Sequence, residues 1–583
     1  MNSTLKKATV VASVSLGLTL IAFSCKDSFL EVPPNGAVLP TQLTNKNGLE
    51  GSLISVYAML NGRGGRMASA SNWVWGSIRG GDATKGTDPG DFSDINPIQR
   101  FEYLTNQGVT SEKWRGNFEG VARANAVMRL LPDADASVTE DDKKRITAET
   151  RFLRAHYYFE LKRGWGNGAP YVDETVDYAT GIEKVKNGVE LWPKIEADMK
   201  FAYDNLPETQ AAVGRANKWA AASYLAKIYM YQKKYAEAKA LFDLIIANGV
   251  TARGTKYALN ARYADVFRAS NDNNAESVFA IQAAANTGSV NNANPDFDLN
   301  FPYNTGPNGP GNCCGFFQPS FELGNSFRVD DKGLPLPNGT YNTAANELKT
   351  DMGLLSTAPF TPETRPVDPR LDHSIGRRGI PYLDWIDHPG ADWIRNQVNG
   401  GPYSPKKYAY YKSDKGSLQD NSSWTPGYSA INFTIIRYAD VLLMAAEAEV
   451  EVGSLEKARS YVNMIRTRAA NPAGFVVTTD GKPAANYVLG TYDTPFANKA
   501  AAQAAVRFER KLELSGEGHR FFDLVRWGVA DREVNAYLTY ESTKLGGALG
   551  GARFTPAKHE LLPVPQDQID LLGSDVLTQN AGY

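Results

Sequence analysis

The sequence predicts a mainly α-helical protein in which pairs of helices support a large irregular lobe. Two observations lead to this expectation. Several segments repeat small and aromatic residues at helical spacing, whereas residues 249–429 are rich in Asn, Gly, Pro and aromatic residues and show no sustained period. A long irregular segment is usually functional or disordered, and its many aromatic residues argue against disorder. We therefore expect an ordered loop lobe on a helical base.

The composition excludes several classes of protein. The chain has 583 residues and a formal net charge of −2, so it lacks the basic surplus of a nucleic-acid-binding protein. Its mean hydropathy of −0.37 excludes a membrane protein with many spans. Three cysteines and five histidines do not suit a disulfide-rich scaffold or a zinc-finger array. The 28 Tyr, 25 Phe and 10 Trp instead give the loops many rings to display.

The clearest helix pair spans residues 217–248. Ala226 and Tyr229 share one face, Ala238 and Phe242 share another, and a polar turn separates the two halves. Small alanines at this spacing let two antiparallel helices approach closely, as in the tetratricopeptide pattern. The sequence therefore predicts tetratricopeptide-like helix pairs as the scaffold.

Two other segments extend this scaffold. Residues 438–470 follow the same template, with Glu449 in place of the expected aromatic residue, and residues 138–162 read as one long helix. Further helices are predicted at 47–60, 112–131, 189–205 and 499–515. We expect a single domain over residues 46–583, with the helical scaffold at about 46–248 and 430–583, the lobe at about 249–429 and a second aromatic loop at 71–100.

The N-terminus resembles a bacterial lipoprotein signal. Lys6 and Lys7 precede a charge-free apolar run over residues 8–23, which is shorter than the roughly 20 residues of a membrane-spanning helix. Small residues then lead to Cys25. We expect a signal peptide at 1–24, a lipid on Cys25 and an extended tether at 25–45. The alternative is an ordinary cleaved signal followed by a chance cysteine.

Several separated motifs resemble the SusD/RagB family of surface nutrient-binding lipoproteins. One runs from Trp73 through Trp75 to Asp82, and another is the Arg437-Tyr-Ala-Asp440 segment. The most specific occupies residues 508–528, and the closing Leu-Pro-Val-Pro of residues 562–565 also fits. The resemblance spans the chain and implies a helical base under a variable loop lobe.

The same resemblance implies how the protein works. It implies a lipid-anchored position on the cell-surface side of the outer membrane and a SusC-like TonB-dependent transporter as partner. It also implies that the ligand is an oligosaccharide, or peptides in some members. The near-neutral charge favours a fructan or another neutral glycan.

The 508–528 motif allows an enzymatic alternative, a surface glycoside hydrolase, because it groups several carboxylates. Arginines and lysines lie between those carboxylates, however, and such pairing lowers a carboxylate pKa instead of raising it to that of a general acid. We therefore expect an ion-pair network, no catalytic residue and no enzyme activity. The five histidines have no metal-ligand spacing and no phosphate-binding loop is present, so we expect no metal and no cofactor.

Cys313 and Cys314 are adjacent in the lobe and would be the only thiols left beside a lipidated Cys25. One hypothesis is that they form a disulfide whose small apolar ring lines the ligand cleft. The alternative is two buried, reduced cysteines.

Sugars have polar edges and apolar faces, so their sites combine planar rings with amide, carboxylate or guanidinium groups. Loop-rich segments supply such candidates, and Trp75 with Asp82 and Cys314 with Phe316 are preferred. We expect Trp75→Ala to weaken glycan binding about tenfold without unfolding the protein. The full set of predicted ligand-binding residues is Trp73, Trp75, Asp82, Tyr303, Cys313, Cys314, Phe316, Arg378, Trp385, Trp393 and Tyr408.

Overall fold

The computed structural model describes residues 42–583 except 63–65, 295–296, 312, 423–424 and 426. The predicted signal peptide, Cys25 and nearly all of the predicted tether lie outside the described residues. Among the residues that are described, no helix is both long and apolar enough to cross a membrane.

The described part of the chain is mainly helical, as predicted. Its α-helices are α1 (Lys46–Tyr57), α2 (Asn96–Arg100), α3 (Gly108–Leu130), α4 (Glu140–Trp165), α5 (Trp192–Asn205), α6 (Lys218–Tyr231), α7 (Tyr235–Asn248), α8 (Phe321–Ser326), α9 (Leu371–Ser374), α10 (Gln397–Gly400), α11 (Tyr438–Val452), α12 (Leu455–Ala469), α13 (Lys499–Glu513), α14 (Arg520–Arg526), α15 (Ala530–Ser542), α16 (Gly546–Leu549) and α17 (Gln566–Leu572). Its strands are β1 (Ala83–Gly86), β2 (Ser277–Ile281), β3 (Phe316–Pro319), β4 (Ile375–Gly376), β5 (Ser404–Pro405) and β6 (Phe433–Arg437).

The two predicted helix pairs form as α6–α7 and α11–α12. The side chain of Asn217 caps α6 by accepting a hydrogen bond from the backbone N–H of Ala220, and Ser454 caps α12 in the same way. Ala238 and Ala458 are fully buried, which lets the paired helices lie close together. The tetratricopeptide-like scaffold predicted from the alanine spacing is confirmed.

Helices from both ends of the chain stack into one layer. Helices α3 to α7 pack in sequence, each on the next, and α7 packs on α11, so the C-terminal pair continues the N-terminal series. Ion pairs cross this junction: Lys239 Nζ lies 3.2 Å from Glu449 Oε1, and Lys457 Nζ lies 2.5 Å from Asp243 Oδ1. Glu449, which departs from the tetratricopeptide pattern, therefore joins the two pairs.

Within its described residues, the irregular lobe contains only short helices and strands, and two-stranded antiparallel ladders fix its position. Strand β2 pairs with β6, with Ser277 opposite Arg437, and β6 leads directly into α11. Strand β1 pairs with β3, with Ala83 opposite Pro319, and so joins the 71–100 loop to the lobe. A third ladder pairs β4 with β5. These pairings between distant segments hold the lobe in place over the helical layer.

Candidate ligand-binding face

The described residues between Phe301 and Phe316 form an arch on the lobe. Its two ends are joined by the backbone N–H of Gly315, which donates to the carbonyl of Phe301 at 3.1 Å. Gly315 has a φ of +75°, and a Cβ there would lie 3.2 Å from the Cβ of Tyr303. The arch therefore places Tyr303 directly beside the stretch that carries Cys313 and Cys314.

Arg395 lies over this arch and brings charged groups to it. Its guanidinium carbon is 5.4 Å from the centre of the Tyr303 ring, a cation–π distance. The same guanidinium pairs with Asp88 and Asp91, each at 2.5 Å. Tyr303 and Cys313 are half-buried, and the Arg395 side chain is about a third exposed. We call the surface formed by Tyr303, Cys313, Arg395, Asp88 and Asp91 the arch face.

The charges of the arch face balance. The ammonium of Lys85 is enclosed behind it and donates to the main-chain oxygens of Asp88 and Asp91 at 2.8 and 2.6 Å. Burial lowers the pKa of Lys85 to about 8, and the two nearby aspartates oppose that change. The two carboxylates and the guanidinium of the arch face, together with the ammonium enclosed behind it, sum to no net formal charge.

Two tryptophans that were predicted to bind ligand, Trp393 and Trp385, support the arch. The carbonyl of Trp393, which is buried, accepts the backbone N–H of Tyr303 at 2.8 Å. Trp385 is half-buried, and its indole N–H donates to the carbonyl of Tyr410 at 3.1 Å. The hydroxyl of Tyr410 in turn accepts the backbone N–H of Gly311 at 3.1 Å. Trp393 therefore positions Tyr303, and Trp385 reaches the arch through Tyr410.

Cys313 and Cys314 are paired as a disulfide in this structure. Cys313 is half-buried on the arch face, whereas Cys314 is buried with Phe316. Of the preferred pair Cys314 and Phe316, neither residue reaches the surface, because both pack into the main hydrophobic cluster. If the disulfide contacts a ligand, Cys313 is the half that provides the contact.

The placement of Trp73 and Trp75 conflicts with the prediction that they contact ligand. Both are only 2% exposed and lie in a short π-helical turn, Trp73–Ile78, within the main core. The indole N–H of Trp75 donates to the carbonyl of Met67 at 2.8 Å, and the Trp73 ring meets Phe317 edge-on. Neither ring has a face available to a sugar in this conformation.

Asp82 and Tyr408 are also internal, although both were predicted to touch ligand. They line a small cavity of about 30 Å³ beneath the lobe. Asp82 accepts the backbone N–H of Gly516 at 3.0 Å, and burial raises the pKa of its carboxyl to about 6. The Tyr408 ring stacks on Phe297 with ring centres 4.4 Å apart. A cavity of this size holds about one water molecule, not a sugar.

Arg378 has a structural role as well. Its guanidinium donates to the carbonyls of Ser356 and Ala358, at 2.6 and 2.5 Å, and so holds the 351–358 loop against the lobe. The residue is buried. Of the eleven predicted ligand-binding residues, only Tyr303, Cys313 and Trp385 keep part of their surface exposed.

The carboxylates of the 508–528 motif form the predicted ion-pair network. Glu513 pairs with Arg370, Arg437 and Arg468, and Glu517 pairs with Arg437 and Lys407. Although burial alone raises the pKa of Glu517, the charge of Arg437 lowers it below its ordinary value. These groups are therefore ionised and paired, which does not suit a general acid. No group of three or more side chains that could hold a metal occurs among the described residues.

The motifs that carried the family resemblance meet one another in this core. Ser77 Oγ accepts the backbone N–H of Gly518, Asp82 accepts that of Gly516, and Arg437 pairs with Glu517. A Cβ on Gly76 would lie 1.8 Å from the carbonyl oxygen of Gly518, so this contact requires glycine. The motifs form a structural joint under the lobe and do not line the arch face.

Sequence reasoning missed Arg395, Asp88, Asp91 and Tyr410. Arg395 follows Trp393 by two residues, and Tyr410 lies in the aromatic run Tyr408-Ala-Tyr-Tyr411. Proximity to predicted aromatic residues was the available signal for both. Asp88 and Asp91 gave no such signal, because tertiary contacts such as the β1–β3 ladder bring their loop to the arch.

Comparison with known proteins agrees with this architecture. A model of the SusD family matches residues 275–583, and a model described as starch-binding and associating with the outer membrane matches residues 82–230. SusD-like protein P25 of Formosa agariphila is 24% identical over 532 residues, which cover 88% of each chain.

Solved structures share the fold. A laminarin-binding SusD-like protein superposes with a TM-score of 0.66 at 23% identity, covering 93% of this chain and all of that one. Surface glycan-binding protein A from Bacteroides thetaiotaomicron, in complex with laminarihexaose, superposes with a TM-score of 0.61 at 20% identity, covering 92% of this chain and all of that one. The first family model alone covers more than half of the sequence, and the fold extends over nearly all of it. The chain therefore belongs to the SusD family.

Proposed function

We propose that this SusD-family protein binds a neutral oligosaccharide or polysaccharide at the arch face and passes it to a SusC-like TonB-dependent transporter. As a member of this family it is non-catalytic. The observation that carries the proposal is the composition of the arch face: a half-buried Tyr303 ring, the guanidinium of Arg395 and two carboxylates meet on one surface.

Each of these groups suits a sugar. An aromatic ring packs on the apolar face of a pyranose or furanose, and the charged groups bind its hydroxyls. Because Asp88, Asp91, Arg395 and Lys85 sum to zero, the surface offers no excess charge to a sulfated or uronic glycan. The solved relatives whose titles name laminarin or laminarihexaose support a glycan as ligand. A fructan or another neutral glycan is the ligand that we propose.

The position of the protein in the cell is proposed on other grounds. The second family model describes association with the outer membrane. A lipid on Cys25 would hold the domain there by a tether, facing outward beside its transporter. Incorporation of labelled palmitate that is lost in Cys25→Ser would support the anchor, and labelling that persists in the variant would contradict it.

Calorimetric titration tests the binding function. The probes are laminarihexaose, maltohexaose, a fructo-oligosaccharide, an oligouronate and a mixture of short peptides, with chromatography of each glycan afterwards. We expect a neutral glycan to bind and to keep its chain length. Binding of peptides alone would favour a peptide importer, and shortened products would favour a glycoside hydrolase.

A further inference from the structure

Thr87 lies directly after strand β1, behind the arch face. It is fully buried, so it does not itself contact a ligand in this structure. Its backbone N–H donates to the carbonyl of Gly315 in the arch at 2.6 Å. The residue therefore lies where the 71–100 loop meets the arch.

The backbone of Thr87 has an unfavourable conformation. Its φ is +49°, in the left-handed region that glycine and asparagine enter readily but that a β-branched residue rarely adopts. The side-chain amide of Asn399 holds it there by donating to the carbonyls of Gly86 and Thr87 at 2.9 and 3.2 Å. Such strain persists only where the surroundings enforce it, and it concentrates at functional sites. A threonine at this position therefore indicates a role that glycine could not fill.

The hydroxyl distinguishes Thr87 from glycine, and both of its hydrogen bonds go to charged groups of the arch face. Oγ1 donates to Oδ2 of Asp91 at 3.1 Å and accepts from Nη1 of Arg395 at 3.0 Å. The same Nη1 and Oδ2 pair with each other at 2.5 Å. A buried hydroxyl, a carboxylate and a guanidinium thus form a closed triangle.

This triangle restrains two side chains that reach the solvent. The side chains of Asp91 and Arg395 are each about a third exposed. An exposed ion pair alone holds its geometry weakly, because long side chains keep much rotational freedom and water competes for their charges. The buried hydroxyl of Thr87 limits that freedom before a ligand arrives, and groups ordered in advance lose less entropy on binding.

We propose that Thr87 is a positioning residue of the arch face. Its hydroxyl holds the Asp91 carboxylate and the Arg395 guanidinium in the geometry that receives the hydroxyls of a glycan. The chain tolerates a strained backbone at this point because a glycine would leave the triangle open. The inference rests on the proposed function, since it assigns to a buried residue the order of that same site.

Three substitutions at this position separate the hydroxyl from the backbone. Thr87→Val keeps the shape and removes the hydroxyl, Thr87→Ser keeps the hydroxyl, and Thr87→Gly removes both the hydroxyl and the strain. Thr84→Val is the matched control, because Thr84 is a buried residue of β1 whose hydroxyl bonds instead to the main-chain carbonyls of Gln318 and Gly400. Thermal melting confirms that each variant is folded. Calorimetric titration uses whichever of laminarihexaose, maltohexaose and a fructo-oligosaccharide binds the wild type.

We expect Thr87→Val and Thr87→Gly to bind the glycan about fivefold more weakly than the wild type, and Thr87→Ser and Thr84→Val to bind it within about twofold. Thr87→Gly should melt above Thr87→Val, because glycine adopts the left-handed conformation without strain. Affinity should therefore follow the hydroxyl and not the melting temperature. In an Arg395→Ala background, Thr87→Val should weaken binding less than it does in the wild type, because part of what the hydroxyl positions is gone.

The outcomes distinguish this role from the proposed function. Wild-type affinity in Thr87→Val, with weakened binding in Tyr303→Ala, would overturn the role of Thr87 and keep the arch face. Wild-type affinity in both variants would overturn the arch face as well. Equal weakening in Thr87→Val and Thr84→Val, or additive effects of Thr87→Val and Arg395→Ala, would also overturn the role of Thr87. Absence of binding to all three glycans would overturn the proposed function and this role with it.

Discussion

Arg437 and Glu517, 80 residues apart in sequence, form a two-point ion pair in the core. The Nε of Arg437 donates to Oε2 of Glu517 at 2.8 Å, and its Nη2 donates to Oε1 at 3.0 Å. Both residues are buried, and Lys407 Nζ reaches the same carboxylate at 2.8 Å. Glu517 therefore joins strand β6, the irregular lobe and the 508–528 motif.

Removing this carboxylate should destabilise the fold. Glu517→Ala leaves the charges of Arg437 and Lys407 short of a partner in the interior, and breaking a buried pair in this way costs about 3–5 kcal/mol. Urea denaturation followed by circular dichroism measures the change. Glu456→Ala removes an exposed ion pair with Arg459 and should change stability little. Equal losses in the two variants would contradict the role given to Glu517.

Trp75→Ala should act on stability and not on ligand contact, contrary to the expectation from sequence. The ring is buried, so its removal leaves a large cavity and costs about 3–5 kcal/mol. Denaturation and glycan titration, performed on the same folded sample, separate the two effects. Trp385→Ala, at a half-buried site of the lobe, serves as the comparison and should cost less stability than Trp75→Ala, because part of its ring is already exposed. A stable Trp75→Ala protein with weakened binding would restore the ring to the ligand site.

Tyr303→Ala should weaken binding of the neutral glycan about tenfold, because a stacking ring contributes on the order of 1–2 kcal/mol. Its melting temperature should stay near that of the wild type, since the ring is half-buried on the lobe surface. Tyr178→Ala removes a more exposed ring from the helical base, far from the arch face in sequence, and should not alter the titration. An unchanged curve for Tyr303→Ala would remove this residue from the site.

Glu541 should give the protein a specific pH dependence. It is fully buried and accepts the backbone N–H groups of Phe321 and Glu322, and burial raises its pKa to about 8. This pKa lies above the value of about 4.3 expected for the unfolded chain. Between about pH 4.3 and pH 8 the Glu541 carboxyl is therefore protonated in the folded state and ionised in the unfolded chain. Stability therefore falls as pH rises from about 5 to 8.

Glu541→Gln should remove this part of the pH dependence. The free energy of unfolding of the variant, measured relative to that of the wild type, should rise by on the order of 3 kcal/mol from pH 5 to pH 8. The reason is that the variant has no carboxyl proton to lose over this range. Denaturation curves at both pH values, with Glu533→Gln as a more exposed control on the same helix, measure the difference. Parallel pH profiles for wild type and Glu541→Gln would show that Glu541 is ionised throughout.

The local pattern of the sequence was enough to place most of the long helices, although it missed α15. The spacing of alanines such as Ala226 and Ala238 predicted the α6–α7 pair, because a 3.6-residue period is set by neighbours along the chain. The alternation of charges in residues 508–528 likewise predicted ion pairing. It did not identify Arg370, Arg437 and Arg468 as partners of Glu513, since these come from distant segments.

The sequence by itself determined the helical scaffold, the irregular lobe and the family. Only the tertiary structure decided which aromatic residues face outward. Trp75 and Tyr303 both lie in aromatic loops, but the Trp73–Ile78 turn is covered by the 508–528 motif, whereas Tyr303 stays half-buried at the surface of the arch. The physical reason is that the exposure of a ring depends on which distant segment packs on it, and that packing is not encoded in the local spacing of residues.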